Sequence, residues 1–285
     1  MSTMIFILKS SRPGLWFPTV WLYLMPLAGG EYWQDTSFWV GLAFVCFPLN
    51  LLVYGWNDLV DRETDRLNPR KDSWLFGACG SDEELAVLPY FMIGVHLLCW
   101  PFLIWLGGWA LMLVLLGIVL FSWVYNHPSW GWRMRPPLEL LCQVGYLLTL
   151  AFSVLLNDLV WPEWTTMFYL CLFCLQSQLL GEVMDVVPDR AAGRKTTATE
   201  LGIIRTKMLL IGIVLIECLV LGILFNDWIF AGGLVLFTVW LIFDLFWFRD
   251  RDYTKTQFKI FGIGSNVAAV LSMVYVWLSG VFLSG

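Results

Sequence analysis

Residues 57–71 read Asn57-Asp58-Leu59-Val60-Asp61-Arg62-Glu63-Thr64-Asp65-Arg66-Leu67-Asn68-Pro69-Arg70-Lys71, and residues 182–195 read Glu182-Val183-Met184-Asp185-Val186-Val187-Pro188-Asp189-Arg190-Ala191-Ala192-Gly193-Arg194-Lys195. A displacement of 124 positions (185 minus 61) lays the second stretch on the first. Asp58 then falls on Glu182, Asp61 on Asp185, Asp65 on Asp189, Arg66 on Arg190, Arg70 on Arg194 and Lys71 on Lys195. Six matches at one displacement, each just after an apolar run, indicate an internal duplication. The shared pattern is acid-x-x-Asp-x-x-x-Asp-Arg-x-x-x-Arg-Lys. Residues at i, i+3 and i+7 lie on one face of a helix, so each stretch is expected to stack three carboxylates at a helix end. Like charges this close repel, and a cation removes the penalty. Carboxylates presented singly suit Mg²⁺, which keeps waters and is completed by phosphate oxygens. The following Arg and Lys can neutralise the remaining phosphate charge. Two converging motifs therefore predict a site for a diphosphate bridged by metal ions, with Asp58, Asp61, Asp65, Glu182, Asp185 and Asp189 as metal ligands. Ordinary solvated helix ends would account for either stretch alone, but not for their duplication.

Outward from these loops the chain is apolar. A membrane-spanning helix needs about 20 mostly apolar residues, and nine such runs are expected, at about 14–30, 38–56, 87–106, 109–125, 138–157, 164–184, 206–226, 228–248 and 260–283. Charged residues are 14% of the 285, and aromatic residues 17%, with 18 Trp. Soluble domains carry about 25% charge, so a soluble two-domain protein is excluded, as is a disordered chain. The net charge of −5 argues against a nucleic-acid binder. All 17 Lys and Arg fall on one side of a nine-span arrangement, including Lys9, Arg12, Arg70, Arg133, Arg194 and Arg251. The other side holds acids only: Glu31, Asp35, Asp158, Glu163 and Asp227. The positive-inside rule then places the N-terminus and both motifs in the cytoplasm. The first run follows Lys9 and Arg12 as a secretory leader would, but eight later spans favour an uncleaved anchor. The fold expected is all-α and polytopic, one transmembrane domain over 1–285. It is built from two parallel pseudo-repeats of four helices (about 1–130 and 131–255) plus a ninth helix at 260–283.

Other polar residues are read more plainly. The Cys171-x-x-Cys174 pair has Leu and Phe flanks, so all seven Cys are expected as small, mostly buried residues rather than a zinc or redox site. His96 is expected as a packed or hydrogen-bonded helix residue. Asp244, near the inner end of its span, would cap or pair locally. Glu217 lies deeper, where ionisable groups are costly and often functional. It reads as a base for an acceptor or, preferred here, as a protonated interhelical hydrogen-bond partner.

Asn57-Asp58-x-x-Asp61-x-x-x-Asp65, with a second Asp185-x-x-x-Asp189 and nine spans, resembles the UbiA superfamily of intramembrane prenyltransferases along essentially the whole chain. The resemblance implies that Asn57, Asp58, Asp61, Asp65, Asp185 and Asp189 form the catalytic motifs, binding Mg²⁺ and a prenyl diphosphate donor in the membrane. It implies loss of diphosphate, then alkylation of a hydrophobic acceptor by the allylic carbocation. The stretch Tyr125-Asn126-His127-Pro128 with Arg133 and Arg135 resembles the family's tyrosine-and-proline segment. Tyr125, Arg133 and Arg135 would then face the diphosphate with Arg66, Arg70, Lys71, Arg194 and Lys195. Many members that use aromatic acceptors continue the first motif as Asn-x-Pro-x-Arg-Pro. Here the stretch is Asn68-Pro69-Arg70-Lys71-Asp72, closer to the branch containing lycopene elongases. The superfamily also contains terpene cyclases, which need no separate acceptor and form the second reading. A transporter with internal repeats is a third, but transporters place polar groups near the bilayer midplane, whereas these acids cluster at one face. Carbocation chemistry also wants aromatic faces that exclude water. Tyr54, Trp56, Trp123 and Tyr125 are candidates, while most of the Trp would form interfacial belts.

Overall fold

The computed structural model describes residues 3–68 and 70–283; Pro69 of the first loop lies outside them. Among the described residues every regular element is helical, apart from an isolated bridge between Ser73 and Gly77. Among the described residues, seven helices are long and apolar enough to cross a membrane. A short N-terminal helix, α1 (Thr3–Ser10), precedes α2 (Phe17–Leu24), which tightens into a 3₁₀ turn, Met25–Leu27. Then follow α3 (Thr36–Val60), α4 (Arg62–Leu67), α5 (Asp82–Asn126), α6 (Leu138–Leu156) and α7 (Trp164–Ala191). The chain ends with α8 (Thr197–Leu201), α9 (Ile203–Ile223), α10 (Trp228–Trp247) and α11 (Lys255–Ser279).

The sequence pattern anticipates these bounds within a few residues, with three departures. The run at 14–30 yields only the short apolar helix Phe17–Leu27. Pro13 precedes it and Pro18 and Pro26 lie along it, and a proline lacks the amide hydrogen that continues a helix. The runs at 87–106 and 109–125 appear as one element of 45 residues, broken at Gly108, where φ is 74° and ψ −176°. That conformation is open essentially to glycine. Leu103 before the break and Leu111 after it pack into one cluster. The third departure is α1, which the apolar runs did not announce; it buries Phe6 and Ile7 beside Leu51 and Leu88.

Two apolar cores share α2 as their seam. Trp21, Leu22 and Met25 pack with Leu150, Tyr169, Leu221 and Val276, joining α2 to α6, α7, α9 and α11. Tyr23 packs with Phe38, Phe44, Leu111 and Phe152, joining α2 to α3, α5 and α6. The Ser153 hydroxyl donates to the Tyr23 carbonyl at 2.6 Å, and the Tyr23 hydroxyl to the Phe38 carbonyl at 2.8 Å. Outward faces are apolar: Leu236, Phe246, Leu271 and Leu278 are each at least 65% exposed. Water would not tolerate such a continuous surface, whereas lipid does.

The remaining polar readings resolve individually. The His96 ring nitrogen Nδ1 meets the Met92 carbonyl at 2.7 Å, with Phe44 against the ring. All seven Cys are free. Asp244 pairs with Lys207 at 2.6 Å and accepts from the Tyr253 hydroxyl at 2.7 Å. Glu217 departs from expectation. It is fully buried beside Tyr169 and Cys174, and neither carboxyl oxygen has a hydrogen-bond partner among the described residues.

Candidate active site

The two duplicated stretches meet at one end of the bundle, but they are not presented alike. The first is bent. A π-helical turn at Leu51–Gly55 precedes Trp56–Val60, Asp61 leaves the helix at φ −94°, ψ 11°, and α4 resumes at Arg62. Asp58, Asp61 and Asp65 thus come from helix, bend and helix rather than from one continuous face. The second stretch does lie on one helix, α7, which runs through Pro188 to Ala191 before Gly193 turns at φ 67°.

The side chains interlock in a buried network. Asp58 meets Arg12 at 2.7 Å and Lys71 at 2.6 Å, and Lys71 also reaches Asp65 at 2.6 Å. Asp61 meets Arg133 and, at 3.1 Å, Arg194. Arg194 lies 3.6 Å from Asp189. Asp185 pairs with Arg70 and accepts from the Asn68 amide at 3.0 Å. The Asp61 side chain is only 3% exposed. Burial works against the Arg12 charge, yet Asp58 and Asp65 outweigh it and hold the guanidinium above its ordinary range. Burial pushes the Asp65 carboxyl up; Lys71 opposes the shift and Asp58 adds to it. A cleft of about 450 Å³ opens onto this network, lined by Asp61, Glu63, Arg66, Arg133 and Arg194 among others.

The network brings together Asp58, Asp61, Asp65, Asp185, Asp189, Arg70, Lys71, Arg133 and Arg194. Tyr125 lies within the electrostatic reach of Arg194 and Asp189. Other expected site residues stand apart. Arg66 reaches only the rim of the cleft, where it is exposed and pairs with Glu63 and Asp82, while Arg135 and Lys195 are exposed. Glu182, the counterpart of Asp58, uses one oxygen on the Ala198 amide and the other on Gln178, each at 3.0 Å, and so anchors the start of α8. Arg12 and Asn68 join the site without having been singled out. Arg12 passes for an orientation signal at the head of a span, because no spacing ties it to Asp58, 46 positions on. Its backbone is left-handed (φ 51°), and its guanidinium sits 4.8 Å over the Tyr54 ring. Gly77 (φ 98°) passes so close that an added Cβ would lie 3.0 Å from Arg12 Nε.

A divalent cation fits these residues. Asn57 Oδ1 and Asp58 Oδ2 are buried oxygens with no hydrogen-bond partner among the described residues, and such groups call for one. No three acidic, His or Cys side chains among the described residues converge as a closed cage. Mg²⁺ does not require one, since one or two carboxylates plus phosphate oxygens and water complete its shell.

An apolar bundle ending in interlocked carboxylates and guanidiniums defines an integral membrane protein with a charged site at one mouth of its helices. Residues 15–281 match the UbiA prenyltransferase family, and the chain belongs to that family and is a prenyltransferase. It is 32% identical over 211 residues to a lycopene elongase/hydratase of Corynebacterium glutamicum, covering 69% of each chain. It is 26% identical over 288 residues to one of Haloarcula japonica, covering 96% of this chain and 92% of that one. Its fold is similar to that of a UbiA homolog from Archaeoglobus fulgidus bound to DMAPP and Mg²⁺. That likeness has a TM-score of 0.75 at 15% identity and covers 98% of this chain and 100% of the other.

Proposed function

We propose that the chain is a Mg²⁺-dependent intramembrane prenyltransferase that ionises a prenyl diphosphate and transfers its allylic group to a long hydrocarbon acceptor of the carotenoid kind. The observation that carries this is the convergence of both Asp motifs, with their basic partners, at one end of an apolar bundle. The names of the relatives and the Asn68-Pro69-Arg70-Lys71 stretch support the acceptor class. We read the 45-residue helix, broken at Gly108, as two crossings and Phe17–Leu27 with its flanking turns as another. That makes nine crossings, arranged as two parallel pseudo-repeats and a ninth helix. The charge asymmetry supports a cytoplasmic N-terminus and a site on that side.

Asp58, Asp61, Asp65, Asp185 and Asp189 would hold the metal, with Asn57 Oδ1 beside them. Bound Mg²⁺ supplies positive charge that stabilises the departing diphosphate. Arg70, Lys71, Arg133 and Arg194 donate charge-assisted hydrogen bonds to phosphate oxygens and fix the headgroup. The allylic C–O bond breaks and its electron pair leaves with the diphosphate. Arg12 covers one face of the Tyr54 ring, so only the opposite face is left to stabilise an allylic cation. An acceptor double bond attacks the allylic cation, and the alkylated cation loses a proton.

The test is purified protein with Mg²⁺ and a panel of prenyl diphosphates, with and without carotenoid-containing lipid extract, read by mass spectrometry. Prenylated acceptor is the expected product. A cyclic hydrocarbon from donor alone would make the protein a terpene cyclase, and inertness toward every donor would end the proposal.

A further inference from the structure

Asp61 and Asp185 are counterparts under the 124-position displacement, and so are Arg70 and Arg194. The structure pairs them crosswise: Arg70 holds Asp185, and Arg194 holds Asp61. Reciprocal contact of this kind is the signature of a two-fold relation between the two motifs. Both carboxylates are fully engaged. Asp61 gives one oxygen to Arg133 and the other to Arg194, and Asp185 gives one to Asn68 and the other to Arg70. A cation that binds either carboxylate therefore competes with a donor of the chain at whichever oxygen it takes. The guanidiniums, in contrast, are not saturated: Arg70 Nε and Arg194 Nε are buried donors with no partner among the described residues.

We infer that Arg70 and Arg194 are exchangeable counter-ions, each occupying the metal seat of the opposite motif until metal and diphosphate enter together and draw it onto phosphate. This rests on reading Asp61 and Asp185 as metal ligands. A cation entering alone evicts a guanidinium and leaves it buried without an anion. A diphosphate entering alone finds these guanidiniums already committed to carboxylates. When both enter, the carboxylates turn to the metal, the guanidiniums turn to phosphate, and their unused Nε donors find acceptors. Each component thus raises the affinity of the other, and by linkage the two factors are equal. Coupling factors of this type are commonly about 5- to 150-fold. The crosswise pairs also brace the two motifs against each other before ligands arrive.

The inference makes an unusual demand: removing a basic residue from the site must improve metal binding. The experiment uses the full chain in detergent, with Mn²⁺ alone followed by loss of its free six-line electron paramagnetic resonance signal. Inorganic pyrophosphate binding at saturating Mg²⁺ is followed by calorimetry. Arg70→Ala and Arg194→Ala are expected to bind Mn²⁺ alone about tenfold more tightly than the unsubstituted chain, and pyrophosphate about tenfold more weakly. Arg70→Lys, which keeps a cation on Asp185, is expected to bind Mn²⁺ as the unsubstituted chain does. Arg70→Ala is the decisive variant, because Asp185 then keeps only the neutral Asn68 amide, whereas Asp61 keeps Arg133 when Arg194 is removed; Arg70→Gln takes its place where the alanine variant does not fold. Unchanged or weaker Mn²⁺ binding in the alanine variants, with Asp185→Asn abolishing it, overturns the exchange and leaves the metal site standing. Unaltered Mn²⁺ binding in both Asp61→Asn and Asp185→Asn overturns the metal site itself, and the exchange with it.

Discussion

Asp61→Asn keeps the shape of the side chain and removes its charge. In the structure that charge is shared by Arg133 and Arg194. Arg194 retains Asp189 at 3.6 Å, so the cation left without a carboxylate is Arg133, whose side chain is 9% exposed. Stranding a buried charge costs about 3–5 kcal/mol. The Asn carbonyl still accepts a hydrogen bond from a charged donor, which returns about 1.5–3 kcal/mol. The net loss of stability is then about 2 kcal/mol, which a protein of this size tolerates. Catalysis suffers more, because an ionised metal ligand and the charge it positions supply several kcal/mol of transition-state stabilisation. A loss of about 4 kcal/mol is about a thousandfold in kcat, at 1.36 kcal/mol per tenfold. The assay is product formation under donor saturation, with thermal unfolding in detergent measured alongside. The double variant Asp61→Asn/Arg133→Gln removes the stranded cation, so it should recover the stability and none of the turnover. A folded Asp61→Asn protein working within tenfold of the unsubstituted rate would refute the reasoning, as would a double variant that regained activity.

Lys207→Met strands Asp244, which is 2.6 Å from the Lys207 ammonium and buried; unfolding in detergent should become easier by about 3–5 kcal/mol, and Lys207→Met/Asp244→Leu should recover most of it. Glu217→Leu removes a buried carboxyl that satisfies no hydrogen bond, so its melting temperature should hold or rise with turnover unchanged. A normal melting temperature with lost turnover would instead make Glu217 a participant in the reaction. Single cysteines at 194 and 158, in a chain cleared of its native Cys, should be labelled by an impermeant reagent from opposite sides of the membrane.

Much of the fold can be read along the chain because its causes are local. A helix that crosses lipid needs a run of apolar residues of set length, and Ile203–Ile223 and Trp228–Trp247 lie where the runs at 206–226 and 228–248 predict. The reading weakens where backbone chemistry interrupts a run. Prolines shorten the first apolar segment, and Gly108 breaks an otherwise continuous 45-residue helix. The helix α1 escaped because it is too short to be an apolar span; its Phe6 and Ile7 are buried by partners on α3, on α5 and in the loop at Ala78 and Gly80.

Of the candidate site, the primary sequence supplied the two aspartate motifs and their basic tails, since a repeated pattern can be seen by displacement alone. It could not say which base meets which acid. Arg194 and Asp61 are 133 positions apart, and Asn68 and Asp185 are 117 apart. No helical period reaches that far, so these pairings depend on how the bundle closes. The same closure sends Arg66, Arg135 and Lys195 to the surface and brings in Arg12, which the linear pattern explains as an orientation signal. It also engages both oxygens of Glu182 within the chain while leaving an oxygen of Asp58 unsatisfied, although the two share a place in the motif. Residue type and spacing set what a side chain is able to do. Its neighbours in the low-dielectric end of the bundle, where an unpaired charge is expensive, set whether it binds a ligand, braces a helix or faces water.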